Sequence, residues 1–166
     1  MNGLSIVLRQ GGILIIALLL PVAMAYGQEE PAPTLLINEI ELNPPGRDAG
    51  AEWVELLNVS ERPIDLYGWE ITYTYRTPGS VPIGEEETIL SPGGRYVFTY
   101  PSLMLRNEDP TPIELIDPEG NVVDRTPAFT DTLGNEGTWQ RFPDGGDPIL
   151  PDVWLFLEAT RGAPNS

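Results

Sequence analysis

What most restricts this chain is how closely its turns follow one another. Its 166 residues include 17 Gly and 18 Pro. These breakers recur so often that no window keeps an apolar stripe at helical spacing for three turns. Short alternating runs fill the gaps. "LLINEIEL" (Leu35–Leu42) stops at Asn43-Pro44-Pro45-Gly46, and "EWVELL" (Glu52–Leu57) stops at "NVSERP". "IDLYGWEITYTY" (Ile64–Tyr75) is long and aromatic, and Gly68 inside it marks a bulge or a close backbone approach. "ETIL" leads through "SPGG" into "RYVFTY", and "PIELID" and "NVVDRT" flank the turn Pro118-Glu119-Gly120. "GTWQRF" and "VWLFLEAT" complete the series. The spacing predicts an all-β fold, an immunoglobulin-like β-sandwich of about nine short strands.

The first 25 residues have a different character. Arg9 precedes the apolar run "ILIIALLLPVAMA", which ends in the small-x-small triplet Ala23-Met24-Ala25. That order describes a secretory signal peptide over residues 1–25, cut between Ala25 and Tyr26. The alternative is an uncleaved membrane anchor, but a spanning helix needs about 20 apolar residues and Pro21 interrupts this run. Residues 26–34, "YGQEEPAPT", form a Pro-rich acidic leader. Residues 35–166 form one domain, long enough to bury a core.

All 25 acidic residues lie after residue 25, against eight of the nine basic ones, and every basic residue is Arg. Removal of the signal therefore takes the net charge from −16 to 8 − 25 = −17. Such a surface repels phosphate backbones, so direct nucleic-acid binding is not expected. It suits dispersal in high salt, or merely reflects a preference for Arg codons; the residues do not separate the two. The same charge favours weak divalent-cation binding in bulk.

The chain has neither Cys nor His. Disulfides are absent and packing alone must hold the domain. The commonest general base and zinc ligand are missing too, which excludes Ser-His-Asp and Cys-His chemistry and ordinary zinc sites. Carboxylates are the acid–base groups left. Glu39 and Glu55 lie in successive strands among apolar neighbours, where pairing would bring them together as in a glycosidase. The same placement suits a structural network in which Arg141 holds both carboxylates and fixes the strand register. "DPEGNVVD" (Asp117–Asp124) and "DGGD" (Asp144–Asp147) superficially resemble calcium loops, but neither has the EF-hand offsets, and Asp and Gly are ordinary hairpin residues. No cofactor is implied. Asn58-Val59-Ser60 is the one N-glycosylation sequon, so Asn58 is either a glycan acceptor or a strand-ending turn residue. Trp53, Trp69, Trp139 and Trp154 fit core positions better than a sugar-binding platform.

In order along the chain, these blocks resemble the lamin tail domain, the immunoglobulin-like module found at the end of nuclear lamins and in secreted prokaryotic proteins. "LLINEI" (Leu35–Ile40) is similar to its opening strand, and "EWVELLN" (Glu52–Asn58) to its most recognisable block. "IDLYGWEI" (Ile64–Ile71) carries its Leu-x-Gly-Trp. "LSPGGRYVF" (Leu90–Phe98), "IELIDPEGNVVD" (Ile113–Asp124), "GTWQRFPDG" (Gly137–Gly145) and "TRGAPN" (Thr160–Asn165) follow. The resemblance implies an immunoglobulin-like sandwich with no catalytic residues to carry over. Lamin tails are interaction modules, and prokaryotic copies accompany secreted hydrolases as tethers. This chain carries no rod, basic patch or partner enzyme, so the nuclear and DNA-binding roles do not transfer.

The expectation is a secreted, non-enzymatic binding or tethering module meeting a protein or glycan partner at the cell surface or envelope. Such a role calls for an exposed apolar patch on the order of several hundred Å². Two alternatives stand beside it, a small hydrolase using Glu39 and Glu55, and a subunit of an envelope complex anchored by its signal segment.

Overall fold

The computed structural model describes residues 34–110, 112–146 and 153–166. Leu35–Glu41 (β1) and Trp53–Asn58 (β2) pair antiparallel at the centre of a five-stranded sheet. Arg95–Thr99 (β7) flanks β2, and Gly137–Phe142 (β10) flanks β1. Val153–Glu158 (β11) pairs with β10 and is the outermost strand on that side, giving the order β11-β10-β1-β2-β7. The second sheet is Gly79–Pro82 (β5), Glu70–Tyr73 (β4), Glu114–Ile116 (β8) and Val122–Arg125 (β9), in that order. Ile64–Asp65 (β3) and Ile89–Leu90 (β6) form a separate two-stranded ladder. The described residues contain no helix, and the fold is an all-β immunoglobulin-like sandwich.

The described residues form eleven strands where about nine were expected, for two reasons. "IDLYGWEITYTY" divides at Gly68, whose φ is +80° and where an added Cβ would lie 3.3 Å from Pro118. The close approach expected there is what ends β3 and starts β4 on a new course. The other addition is β5, "GSVP", whose Gly and Pro do not read as a strand. It is tolerated because β5 is a sheet edge, where Pro82 need not donate to a ladder.

Alternation sends one side of each strand into the core. Ile37, Ile40, Val54 and Leu56 from the first sheet meet Ile71 and Leu115 from the second, with Leu66, Ile83, Leu90 and Ile113 filling the ends. Each such side chain contributes about 1.5–3 kcal/mol on burial. Two tyrosines on and beside β7 stitch the layers together. Fully buried Tyr100 donates to the Thr72 carbonyl at 2.7 Å, and Tyr96 to the Ile83 carbonyl at 2.7 Å. Their hydroxyls are thus not left unpaired in an apolar interior.

The opposite side of β1 and β2 is buried as well, although it carries Glu39 and Glu55. What covers it is the closing segment after β11 together with the turn after β10. A bulge prepares this face: Ile37 is in register with Leu56 and Glu39 with Glu55, so Asn38 is the extra residue. Insertion of one residue shifts the alternation. It brings the two glutamates directly across from one another on the same face.

Candidate functional site

Glu39 and Glu55 are cross-strand partners, fully buried beneath Thr160–Asn165. Glu39 Oε1 accepts from Thr138 Oγ1 at 2.6 Å, from the Thr160 backbone N–H at 2.8 Å and from Gln140 Nε2 at 3.3 Å. Its Oε2 accepts from Thr160 Oγ1 at 2.9 Å. Glu55 Oε2 takes the Gly162 N–H at 2.7 Å, and Oε1 takes Asn38 Nδ2 at 3.1 Å and lies 3.2 Å from Arg95 Nε. Arg95 reaches onward to Asp144, which also receives Asn38 Nδ2 at 2.9 Å. Asn165 closes the far end by donating to the Asn38 and Arg141 carbonyls at 3.0 and 2.9 Å.

Burial pushes the Glu55 carboxyl above its ordinary value, and the Glu39 charge adds to that; the Asn38 and Gly162 hydrogen bonds and Arg95 oppose it. Asp144 goes the other way. Burial raises it, but bonds from Asn38, Arg95 and Asn165 and the Arg95 charge outweigh burial and hold it low. Every oxygen of the glutamate pair is engaged by at least one donor of the protein itself. Chemically, the arrangement is a latch: two buried carboxylates that hold the chain's last turn against its first two strands.

The arginine of this network is Arg95, not Arg141, which corrects the expected grouping of Glu39, Glu55 and Arg141. The reason is parity. On β10 the residue opposite Glu39 is Gln140, so the next side chain, Arg141, turns to the other face. There Arg141 Nη2 meets Asp124 Oδ2 at 2.6 Å, Nε donates to the Ile37 carbonyl at 2.8 Å, and the guanidinium lies 4.9 Å from the Trp154 ring centroid. Asp124 Oδ2 also accepts the Ile37 N–H at 2.7 Å. The bulge leaves Ile37 without a β10 partner. Asp124 and Arg141 satisfy both of its backbone groups.

Compared with known proteins, residues 28–128 match the family model described as Lamin Tail Domain. The chain belongs to the lamin tail domain family. No curated protein and no solved structure matches it. The matched span ends before β10, so the resembling blocks "GTWQRFPDG" and "TRGAPN" lie beyond it. Lamin tail domains are immunoglobulin-like binding and tethering modules, and this one carries that character.

The remaining candidates take structural places in the domain. Asn58 is fully buried; its Nδ2 donates to the Arg62 and Leu90 carbonyls at 2.8 and 2.9 Å, and its Oδ1 accepts the Ser60 N–H at 3.0 Å. The nitrogen a glycan would occupy is turned inward and donates within the folded domain. Asp117 caps its own hairpin turn by accepting from the Asn121 side-chain amide and from the Asn121 and Glu119 backbone N–H groups, and these bonds hold its carboxyl low. Trp69 is buried in the core, and Phe129 stacks on Trp139 at 4.5 Å between ring centroids. Trp53 lies under the latch, with the Arg161 guanidinium 5.2 Å above its ring. Ala25 and Tyr26 fall outside the described residues.

Sequence reasoning passed over two buried acids. Glu52 Oε2 accepts the Met104 and Leu105 N–H groups at 2.7 and 3.1 Å. Burial pushes its carboxyl up to about 7, with the Asp48 charge adding to the rise. Glu41 Oε1 accepts the Asn43 N–H at 3.1 Å, and burial, then Asp131, Glu136 and Glu39, push it up to about 7. Both stand at strand ends beside Leu42 and Trp53, and that apolar company was the only available signal.

Proposed function

We propose that this lamin tail domain is an exported, non-catalytic binding module that holds a protein or glycan partner outside the cell or at its envelope. The observation that carries the reading is the outer row of β11. Val153 and Leu155 are 55% and 42% exposed on the outermost strand of the sheet, beside the latch. Apolar side chains on an open edge strand offer both main-chain pairing and side-chain contact to a partner. The non-catalytic part rests on Glu39 and Glu55, whose oxygens are all engaged within the protein. Residues 1–25 supply the export signal in this reading.

The test is affinity capture from native secretome and envelope fractions, with and without calcium. The wild-type chain is compared with a Val153→Asp/Leu155→Asp variant that retains its circular dichroism. Retention of one partner by wild type and its loss from the variant supports the proposal. Equal retention by both places the contact elsewhere. N-terminal sequencing of the chain isolated from its source decides between cleavage after Ala25 and an anchored subunit.

A further inference from the structure

Five buried side-chain atoms among the described residues have no hydrogen-bond partner, and three of them are oxygens in one corner of the domain: Glu52 Oε1, Asn107 Oδ1 and Asp131 Oδ2. All three belong to residues gathered around Asp48. Glu52 donates its backbone N–H to the Asp48 carbonyl at 3.2 Å. Asn107 Nδ2 donates to Asp48 Oδ2 at 2.9 Å, which leaves the amide oxygen free. Asp131 donates its N–H to the Asn107 carbonyl at 2.9 Å, and the Leu133 N–H occupies its Oδ1 at 2.8 Å. Its Oδ2 is therefore the one left over, on a side chain only 4% exposed. No ion pair among the described residues involves Asp48, Glu52 or Asp131, and the nearby Arg106 is held by Asp109.

A buried carboxylate oxygen with no donor is costly, and a second carboxylate beside it makes it more so. Burial and the Asp48 charge both push the Asp131 carboxyl above its ordinary value. Two remedies exist in chemistry, a proton or a cation. The donor set favours the cation: two carboxylates and an amide carbonyl are the hard oxygens that calcium takes, irregularly arranged and completed by water. Magnesium demands a near-octahedral shell and keeps its waters, and zinc prefers the His and Cys that this chain lacks. No three acidic, His or Cys side chains among the described residues converge as a metal cluster. The site is accordingly a mixed one, with Asn107 as the third side chain.

We propose that Asp48, Asn107 and Asp131 bind one divalent cation of the calcium class, using the unpartnered Asn107 Oδ1 and Asp131 Oδ2 and the Asp48 carboxylate. The ion joins three loops that share no ladder: the β1–β2, β7–β8 and β9–β10 connections. It thereby fixes the shape of one end of the sandwich.

The test uses the full chain, stripped with EDTA and freed of the chelator, at pH 7.5 in about 0.15 M salt to suppress general charge effects. Calorimetric titration with calcium chloride is expected to show one saturable site, with half-saturation at about 0.1–1 mM, the range of extracellular modules. Tenfold excess calcium should raise the melting temperature by about 5 °C, and magnesium by clearly less. Asp131→Asn keeps the acceptor for Leu133 and turns the orphaned oxygen into a donor. It should melt higher than wild type in EDTA and show no calcium heat. Should that variant fail to fold, Asp48→Asn carries the same test and should weaken calcium binding at least tenfold. Absence of saturable heat in wild type overturns the proposal, as does an equal calcium shift in wild type and either folded variant.

Discussion

Glu52 offers the sharpest test of the energetics. Its carboxylate is fully buried with one oxygen unpartnered, and its folded-state value of about 7 stands against an ordinary 4.5. The folded state therefore holds the proton more tightly than the unfolded chain. The stabilising contribution is complete below about 4.5 and is lost as pH rises through about 7. A gap of 2.5 corresponds to about 3 kcal/mol at roughly 1.36 kcal/mol per pH unit, and partial screening by water lowers this to about 2. Glu52→Gln removes the titration while keeping an acceptor for the Met104 and Leu105 N–H groups. At pH 8 the variant should be more stable than wild type by about 2 kcal/mol, and at pH 4.5 nearly equal to it. Urea unfolding in EDTA at both pH values measures this, because the difference between the two proteins cancels every other titrating group. A Glu52→Gln penalty of the same size at both pH values would refute the reasoning. It would mean that the carboxylate is held ionised by its two donors.

Three further outcomes follow from the latch and its surroundings. Arg95→Leu strands Glu55 and Asp144 without their cation. It should cost about 2–3 kcal/mol at pH 7 in urea unfolding. The penalty should shrink as pH falls and Glu55, its carboxyl raised by burial, takes up a proton. Gly162→Ala meets no atom within 4 Å but must adopt a φ of +78°, so a loss of about 1 kcal/mol should appear in thermal melts with no change in the fold. Asn58→Ala removes the side-chain donors to the Arg62 and Leu90 carbonyls and the acceptor of the Ser60 N–H and should cost about 2–3 kcal/mol; intact mass of wild type secreted from a glycosylating host should show Asn58 unmodified.

The strands were legible because period-two alternation between Pro and Gly breakers is a local signal. The sandwich followed from their number and spacing. The split at Gly68 was harder because it depends on Pro118 far along the chain, and the edge strand Gly79–Pro82 because its own Gly and Pro disguise it. Glu39 and Glu55 could be placed together from their blocks, but which arginine serves them could not. One extra residue, Asn38, brings Glu39 opposite Glu55; the β2–β7 register supplies Arg95 on Glu55's face, while Arg141, next to Gln140 on β10, faces away. A bulge has no composition of its own, so no count of alternating residues reveals it. The corner around Asp48 was hidden for a similar reason: its oxygens come from three loops, and only the fold brings them near one another.

The latch also orders events in time. Glu39 waits for Thr160, 121 positions later, Glu55 for Gly162 at 107, and Asn38 for Asn165 at 127. In a chain synthesised from its N-terminus, Asn38 and Arg95 are available to Glu55 early, Thr138 and Gln140 reach Glu39 later, and the Thr160 and Gly162 donors come last. Contacts of such separation form late and slowly. The glutamate-bearing face of β1 and β2 is closed only when Thr160–Asn165 fold back over it.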